Sequence, residues 1–310
     1  MKISIVFLYA LTVLNAETMF SRTQMMMGTF AQIELPQSQS KFIQRGFERL
    51  KSVELALSSY NKNADIYRLN HALHVKLQAD TYEALLKSYR YFHESNGYFN
   101  ITIGSITKGL YHFGEEEQIP SPTAVKNAVV DMDGLTFDRH SAQIKEGMKI
   151  DLGGMGKGFG IDKVHELYQK EKIRNGKISL SGDIRCLGQC NISIVDPFSP
   201  NQTQKLYKTK KRGLGVTTSG NYRRFVKTKK HHHLINPKTH LQAKDIVSIT
   251  LIGVLSNSDL DAYATAASVM SLQQAILFLN QFQIAYIIYT SKEEEISSAN
   301  LKEFVTTLAY

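Results

Sequence analysis

The segment Ile150-Asp-Leu-Gly-Gly-Met-Gly-Lys-Gly-Phe-Gly-Ile-Asp162 constrains this 310-residue chain more than any other. Gly153, Gly154, Gly156 and Gly158 crowd around Lys157, between a strand-like lead-in and a helical continuation. Backbone without Cβ atoms turns tightly and can bring its N–H groups against an anion at a helix N-terminus. Lys157 would add a mobile positive charge there, and Asp151 a fixed acceptor. The same glycines could equally serve a structural turn with close helix packing. Two familiar phosphate loops are excluded. In Gly-x4-Gly-Lys-Ser/Thr, Asp151 takes the place of the first glycine and Gly158 follows the lysine. In Gly-x-Gly-x-x-Gly, Phe159 stands where the third glycine belongs.

Around this turn, apolar residues recur at helical spacing over residues 40–57, 81–95, 157–172 and 258–280, with Ser258 as N-cap of the last. Asn96-Gly97 stops the second helix and Asn175-Gly176 closes the third. Residues 177–180, 191–195, 246–252 and 285–289 have strand composition. Helices and strands mix without a regular βαβ beat, so the fold class is α+β rather than a Rossmann or P-loop fold. No Pro/Gly/Ser-rich linker divides the chain, and residues 17–310 are read as one unit.

Two further segments carry chemistry-bearing residues. In Ser258-Asp-Leu-Asp-Ala-Tyr-Ala-Thr-Ala-Ala267, Asp261 and Thr265 share a helix face. A carboxylate and a hydroxyl, with room for water and phosphate oxygens, suit Mg²⁺, although such a pair is also common on solvated helix faces. In Gly215-Val-Thr-Thr-Ser-Gly-Asn-Tyr222 a turn could offer hydroxyl and backbone hydrogen bonds to a ligand. Nearby, a histidine of His231-His-His233 could act as a general base. Consecutive strand side chains point to opposite faces, so at most two of those histidines converge.

The N-terminus begins with Lys2, an apolar run from Ile3 to Leu14, and Ala16. That pattern fits a secretory signal over residues 1–16 and a periplasmic address, with retention at the inner membrane if it stays uncleaved. The run is too short to span a bilayer comfortably. Cys186 and Cys190, the only cysteines, fit either a small structural pair or two free thiols. The net charge of +9 is spread out apart from Lys208 to Arg212 and Lys227 to His233. For an exported chain it suits a polyanionic cofactor or an acidic membrane surface better than nucleic acid, which is not expected as a partner.

In order, these fragments resemble the ApbE family of FAD:protein FMN transferases. Met27-Gly-Thr resembles the family's opening motif, and Ser58-Ser-Tyr60 with Asp65-Ile-Tyr-Arg-Leu-Asn70 its Ser-x-Tyr…Ser-x-Ile…Leu-Asn segment. Gly97-Tyr-Phe-Asn-Ile-Thr-Ile-Gly104 and Tyr111-His-Phe-Gly114 are similar to its Gly-x-Phe-Asp-x-Thr-x-Gly and Trp-Gly-Phe-Gly. Asp151 to Gly158, Ser181-Gly-Asp183, Thr218-Ser-Gly-Asn-Tyr222, His233-Leu-Ile-Asn-Pro237 and Asp261-Ala-Tyr-Ala-Thr265 follow in the family's order.

The resemblance implies a Mg²⁺-dependent enzyme that moves FMN from FAD to a Ser or Thr of a target flavoprotein and releases AMP. Met27 and Tyr60 would line the flavin pocket, with Tyr98, Phe99 and Asn100 beside them. Asp151 and Lys157 would contact the adenosine or pyrophosphate part of FAD, and Ile235 and Asn236 would line the cofactor site. Asp261, Thr265 and the Gly154 carbonyl would hold Mg²⁺, and His233 would be the base. The implied acceptor is a membrane or periplasmic electron-transfer subunit, and the mature protein is soluble or membrane-peripheral. The chain departs from the family's pattern at Asn100 and Asn236, each in place of Asp, at Tyr111 in place of Trp, and at His240 in place of Gly. A Mg²⁺-dependent FAD pyrophosphatase and a non-enzymatic FAD carrier are the competing functions.

Overall fold

A segment as uniformly apolar as Ile284-Ala-Tyr-Ile-Ile-Tyr289 is stable as a strand only if both of its faces are covered. The computed structural model describes residues 17–199 and 204–308 and provides that cover. Its main sheet has eight strands: β1 (Met19–Met26), β2 (Thr29–Pro36), β3 (Lys177–Leu180), β4 (Asp183–Cys186), β5 (Gly215–Gly220), β6 (Ile246–Gly253), β7 (Ile284–Thr290) and β8 (Glu295–Ser297). They lie side by side in chain order, each antiparallel to the next. Strand side chains alternate between faces. On β7, Ile284, Tyr286 and Ile288 therefore join the helical core, and Ala285, Ile287 and Tyr289 the opposite one.

Six helices matter for the site: α1 (Phe42–Leu57), α2 (Asp65–Ala72), α3 (Ala79–Glu94), α4 (Gly156–Lys170), α5 (Asn257–Ser268) and α6 (Leu272–Leu279). One core joins α1, α2, α3 and α5 to β6 and β7, and a second joins α1 and α4 to β1, β2 and β3. The opposite face of the sheet is covered by a small sheet of Asn191–Val195, Gln204–Thr209 and Val305–Thr307. A third sheet pairs His74–Lys76, Ser141–Ile144 and Leu135–Phe137.

The mixed architecture is the expected α+β class, and the expected strands appear with ends moved by a residue or so. Three local expectations are corrected. Residues 258–280 are two helices, because Ser271 and Gln274 form a reciprocal capping box that starts α6. The N-cap of α5 is Ser256, whose side chain accepts from the Asp259 N–H, while the Ser258 hydroxyl is drawn to Asp162. The first part of residues 215–222 is strand β5 rather than a turn, because it is ladder-bonded to both β4 and β6. Cys186 and Cys190 form a disulfide. The expected signal segment 1–16 lies outside the described residues. No helix among the described residues is long and apolar enough to cross a membrane.

Candidate functional site

The glycine turn is positioned by two helices that approach unusually closely. A Cβ on Gly158 would collide with the Asn257 carbonyl, so only glycine lets the first turn of α4 touch the start of α5. Asp162, one turn further along α4, locks the crossing. Its carboxylate accepts from the N–H groups of Asn257 and Ser258 at 2.7 and 2.9 Å and from the Ser258 hydroxyl at 2.6 Å. An acid at a helix N-terminus satisfies orphan donors and complements the dipole. The lead-in, coil rather than strand, is pinned as firmly. The Asn70 amide donates to the Ile150 carbonyl at 2.9 Å and its oxygen accepts the Ile150 N–H at 2.6 Å. Gly104 packs so closely on Lys149 to Asp151 that a side chain there would strike backbone.

This crossing brings the proposed metal residues together. The Thr265 hydroxyl donates to the Gly154 carbonyl at 3.0 Å. Asp261, 2% exposed and one turn before Thr265, accepts from the Gly158 N–H at 3.2 Å. Lys157 Nζ lies 3.4 Å from Asp261 Oδ2 and 2.7 Å from Asp183 Oδ2. Asp183 is fully buried, and neither of its oxygens has a well-aligned hydrogen bond. Burial, then the neighbouring Asp183, push the Asp261 carboxyl well up against the pull of Lys157. Burial works against the Lys157 ammonium, yet the two aspartates outweigh it and hold the group charged. Among the described residues no three His, Cys, Asp or Glu side chains form a metal-ligating cluster. Asp261, the Thr265 hydroxyl and the Gly154 carbonyl are instead all hard oxygen donors, and with the underbonded Asp183 beside them they fit a small divalent cation.

A second group of residues adjoins the first through Asp151. Thr107 donates its hydroxyl to Asp151 Oδ2 at 2.7 Å, the Gly153 N–H reaches Oδ1 at 2.9 Å, and Lys108 Nζ stands 4.0 Å away. Burial would raise this carboxyl, but Lys108, the Thr107 hydroxyl and Arg224 hold it below the usual range. Lys108 also donates to the Phe113 carbonyl at 3.1 Å and to the Tyr60 hydroxyl, which itself donates to that carbonyl at 2.7 Å. Arg224 reaches the Tyr60 hydroxyl at 2.9 Å. Tyr60 is thus held by two cations, with Lys108 Nζ 4.0 Å over the centre of its ring and 42% of the residue left exposed.

His233 sits against the same arginine. Its Nδ1 lies 3.2 Å from the Arg224 carbonyl, which can only accept, so Nδ1 carries the proton and Nε2 keeps its lone pair. Burial first, then the Arg224 guanidinium, push the imidazole down to about 4. The three histidines do not lie in a strand: His231 ends a 3-10 turn (Lys229–His231) and His232 makes only an isolated bridge to Phe225. His231 and His233 flank the stacked pair Tyr111 and Phe113, whereas His232 is buried against the Ala243 carbonyl at 2.9 Å. Ile235 lies buried under this aromatic pair.

The remaining expected residues surround these clusters. Met27 takes a left-handed backbone at the β1–β2 turn and gives its N–H to Glu54 Oε1 at 2.8 Å, with its sulfur against Gly160 of α4. Phe99 is buried against Gly154 and edge-on to Tyr91. The Tyr98 ring lies under Lys238, 4.2 Å from Nζ. Asn100 Oδ1 accepts from the Thr102 N–H and hydroxyl at 2.9 and 2.7 Å, a capping task that needs no charge. Asn236 Oδ1 accepts from the Lys238 N–H at 2.8 Å while its amide donates to the Val269 carbonyl at 2.8 Å. Sequence reasoning did not single out Lys108, Arg224, Thr107 or Asp162, and it assigned Asp183 no role. Lys108 alone had a visible signal, a single lysine inside the apolar run Ile101 to Phe113.

Residues 27–288 match the ApbE family. The chain is 25% identical to the FAD:protein FMN transferase of Treponema pallidum (strain Nichols), over 93% of this chain and 89% of that protein. The flavin transferase ApbE from Vibrio cholerae has the same fold, with a TM-score of 0.81 and 21% identity over 93% of this chain and 99% of that one. The ApbE protein of Thermotoga maritima aligns over the same shares with a TM-score of 0.83 and 20% identity.

Proposed function

The chain belongs to the ApbE family, and from that premise we propose that it is an FAD:protein FMN transferase, moving FMN from FAD to a Ser or Thr hydroxyl of another protein and releasing AMP. The observation that carries this reading is the crossing of α4 and α5, which sets the Thr265 hydroxyl 3.0 Å from the Gly154 carbonyl beside Asp261 and Lys157. Asp261, Thr265 and the Gly154 carbonyl would hold Mg²⁺, which when bound neutralises pyrophosphate charge and polarises the scissile P–O bond.

The chain's own residues would do the rest. Lys157, held charged between Asp183 and Asp261, would lend its positive charge to the pyrophosphate without leaving them. Tyr60 presents a rigid, partly exposed ring for an isoalloxazine to stack on, with Met27 and Tyr98 as further apolar walls. His233 Nε2 takes the proton of the acceptor hydroxyl as its oxygen forms the new P–O bond to FMN. The old P–O bond breaks and its electrons leave with AMP. Burial keeps His233 neutral, and the approach of pyrophosphate would raise its basicity when it is needed.

We read residues 1–16 as an export signal and residues 17–310 as one catalytic unit. The acceptor is then a periplasmic or membrane electron-transfer protein. The test is to incubate the purified protein with FAD, Mg²⁺ and a candidate acceptor domain and to take the acceptor's intact mass. An added FMN, lost with EDTA and with Asp261→Ala, supports transfer. FAD cleaved to FMN and AMP with no acceptor gaining mass, across a panel of such domains, would favour hydrolysis instead. FAD left whole would point to carriage.

A further inference from the structure

The far end of α4 faces a second pocket, of about 590 Å³, whose walls contain no acidic side chain. His165 lies on α4 eight residues beyond Lys157, which is about 12 Å along a helix. Lys172 and Arg174 follow the end of that helix, Arg185 comes from β4, and Arg212 from the turn before β5. Such a volume lies within the usual range for small-molecule sites.

Structural bonds occupy Arg185 and part of Arg212, yet the pocket keeps cations that no carboxylate balances. Arg185 is 3% exposed, and its Nη1 and Nη2 donate to the carbonyls of Gly213 and Leu255, each at 2.7 Å. Its Nε is buried without a hydrogen-bond partner. Asp162 approaches Arg185 to 3.6 Å but is already committed to three donors at the start of α5. Lys172, Arg174 and Arg212 have no carboxylate within ion-pair distance among the described residues. Arg212 is tied across the rim by bonds to the Arg174 carbonyl and Asn175 Oδ1, both at 2.8 Å. Burial first, and then Arg185, push His165 down to about 4.

We infer that this pocket binds a small phosphorylated anion of nucleotide size, at a site separate from the cluster around Lys157. With Arg185 facing Asp162, the other three cations, Lys172, Arg174 and Arg212, remain without a carboxylate among the described residues, and the several negative charges of a diphosphate group match them. Guanidinium forks suit phosphate oxygens bidentately. Ile173, Leu187 and Val254 supply an apolar wall for a ring or other uncharged part.

The probe is ADP, titrated by calorimetry into the purified protein in EDTA, so that metal-assisted binding elsewhere is absent. Saturable binding is expected, weakened about tenfold or more by Arg174→Glu/Arg212→Glu, since the ion pairs lost are charge-assisted. Arg174→Glu alone, which spares the Arg212 bonds, should weaken it in the same direction. Raising NaCl should weaken it steeply because the rim is exposed. Absent binding, or affinity unchanged in both variants while they retain the wild-type circular dichroism spectrum, would overturn the site. So would equal affinity for adenosine, which has no phosphate.

Discussion

Lys157 Nζ lies 2.7 Å from Asp183 Oδ2 and is the sole ion-pair partner of that fully buried carboxylate among the described residues. It also serves Asp261, so one ammonium balances two acids in the heart of the site. Breaking a buried pair by removing one partner costs far more than the pair itself contributes, because a charge is stranded. Lys157→Met should therefore destabilise the fold by roughly 3–5 kcal/mol. Urea unfolding at neutral pH checks this. Lys157→Met/Asp183→Asn should recover much of the loss, and a single variant as stable as the wild type would refute the dependence.

Asn236→Asp restores the residue usual in the family, yet here it should be harmful. The Asn236 amide donates to the Val269 carbonyl at 2.8 Å, and a carboxylate would face that carbonyl with no proton to give. The expected cost is about 1–3 kcal/mol. Thermal unfolding would show it, and a Tm equal to or above the wild type would mean that the Val269 carbonyl finds another donor.

Gly158→Ala pits propensity against packing. Alanine is the better helix former by about 0.8–1.0 kcal/mol. Its Cβ would nonetheless strike the Asn257 backbone, which cannot yield without parting α4 from α5. Net destabilisation of about 1–3 kcal/mol is expected, with a larger loss of FMN transfer, since the Thr265–Gly154 approach depends on the same crossing. Calorimetry and acceptor mass on the same sample separate the two effects.

Three histidines lowered by desolvation shape the acid limb of stability. His165 and His233 are pushed down to about 4, and His232 is also lowered by burial. Unfolded imidazoles take up protons near about pH 6.5. Between about 6.5 and 4 these imidazoles therefore bind more protons in the unfolded chain and their contribution falls as pH falls, while Asp261, raised to about 7, takes its proton first in the folded chain and offsets part of that loss. The urea midpoint should drop from pH 7 to pH 4.5, and His165→Gln with His233→Gln should flatten that slope. FMN transfer itself should persist somewhat below pH 6.5, and an acid limb centred at or above that value would contradict a neutral His233 base.

Much of this molecule is legible without coordinates, wherever a local pattern has only one physical solution. The apolar run 285–289 reads as a strand, the glycines around Lys157 allow a close backbone approach, and Asp261 and Thr265 share a face because a helix brings every fourth residue around. The order of motifs carried the family. The break at Ser271 was missed because a capping box inside an apolar stretch is a local signal that periodicity averages away. What only the tertiary structure decided is which distant groups meet. Asp183 reaches Lys157 from the neighbouring sheet, Arg224 supplies a carbonyl to His233 and a guanidinium to Tyr60, and Asp162 caps a helix almost a hundred residues later. Side-chain partnerships of this kind follow from how helices cross the sheet, a packing outcome summed over the whole core, and no single stretch of sequence contains it.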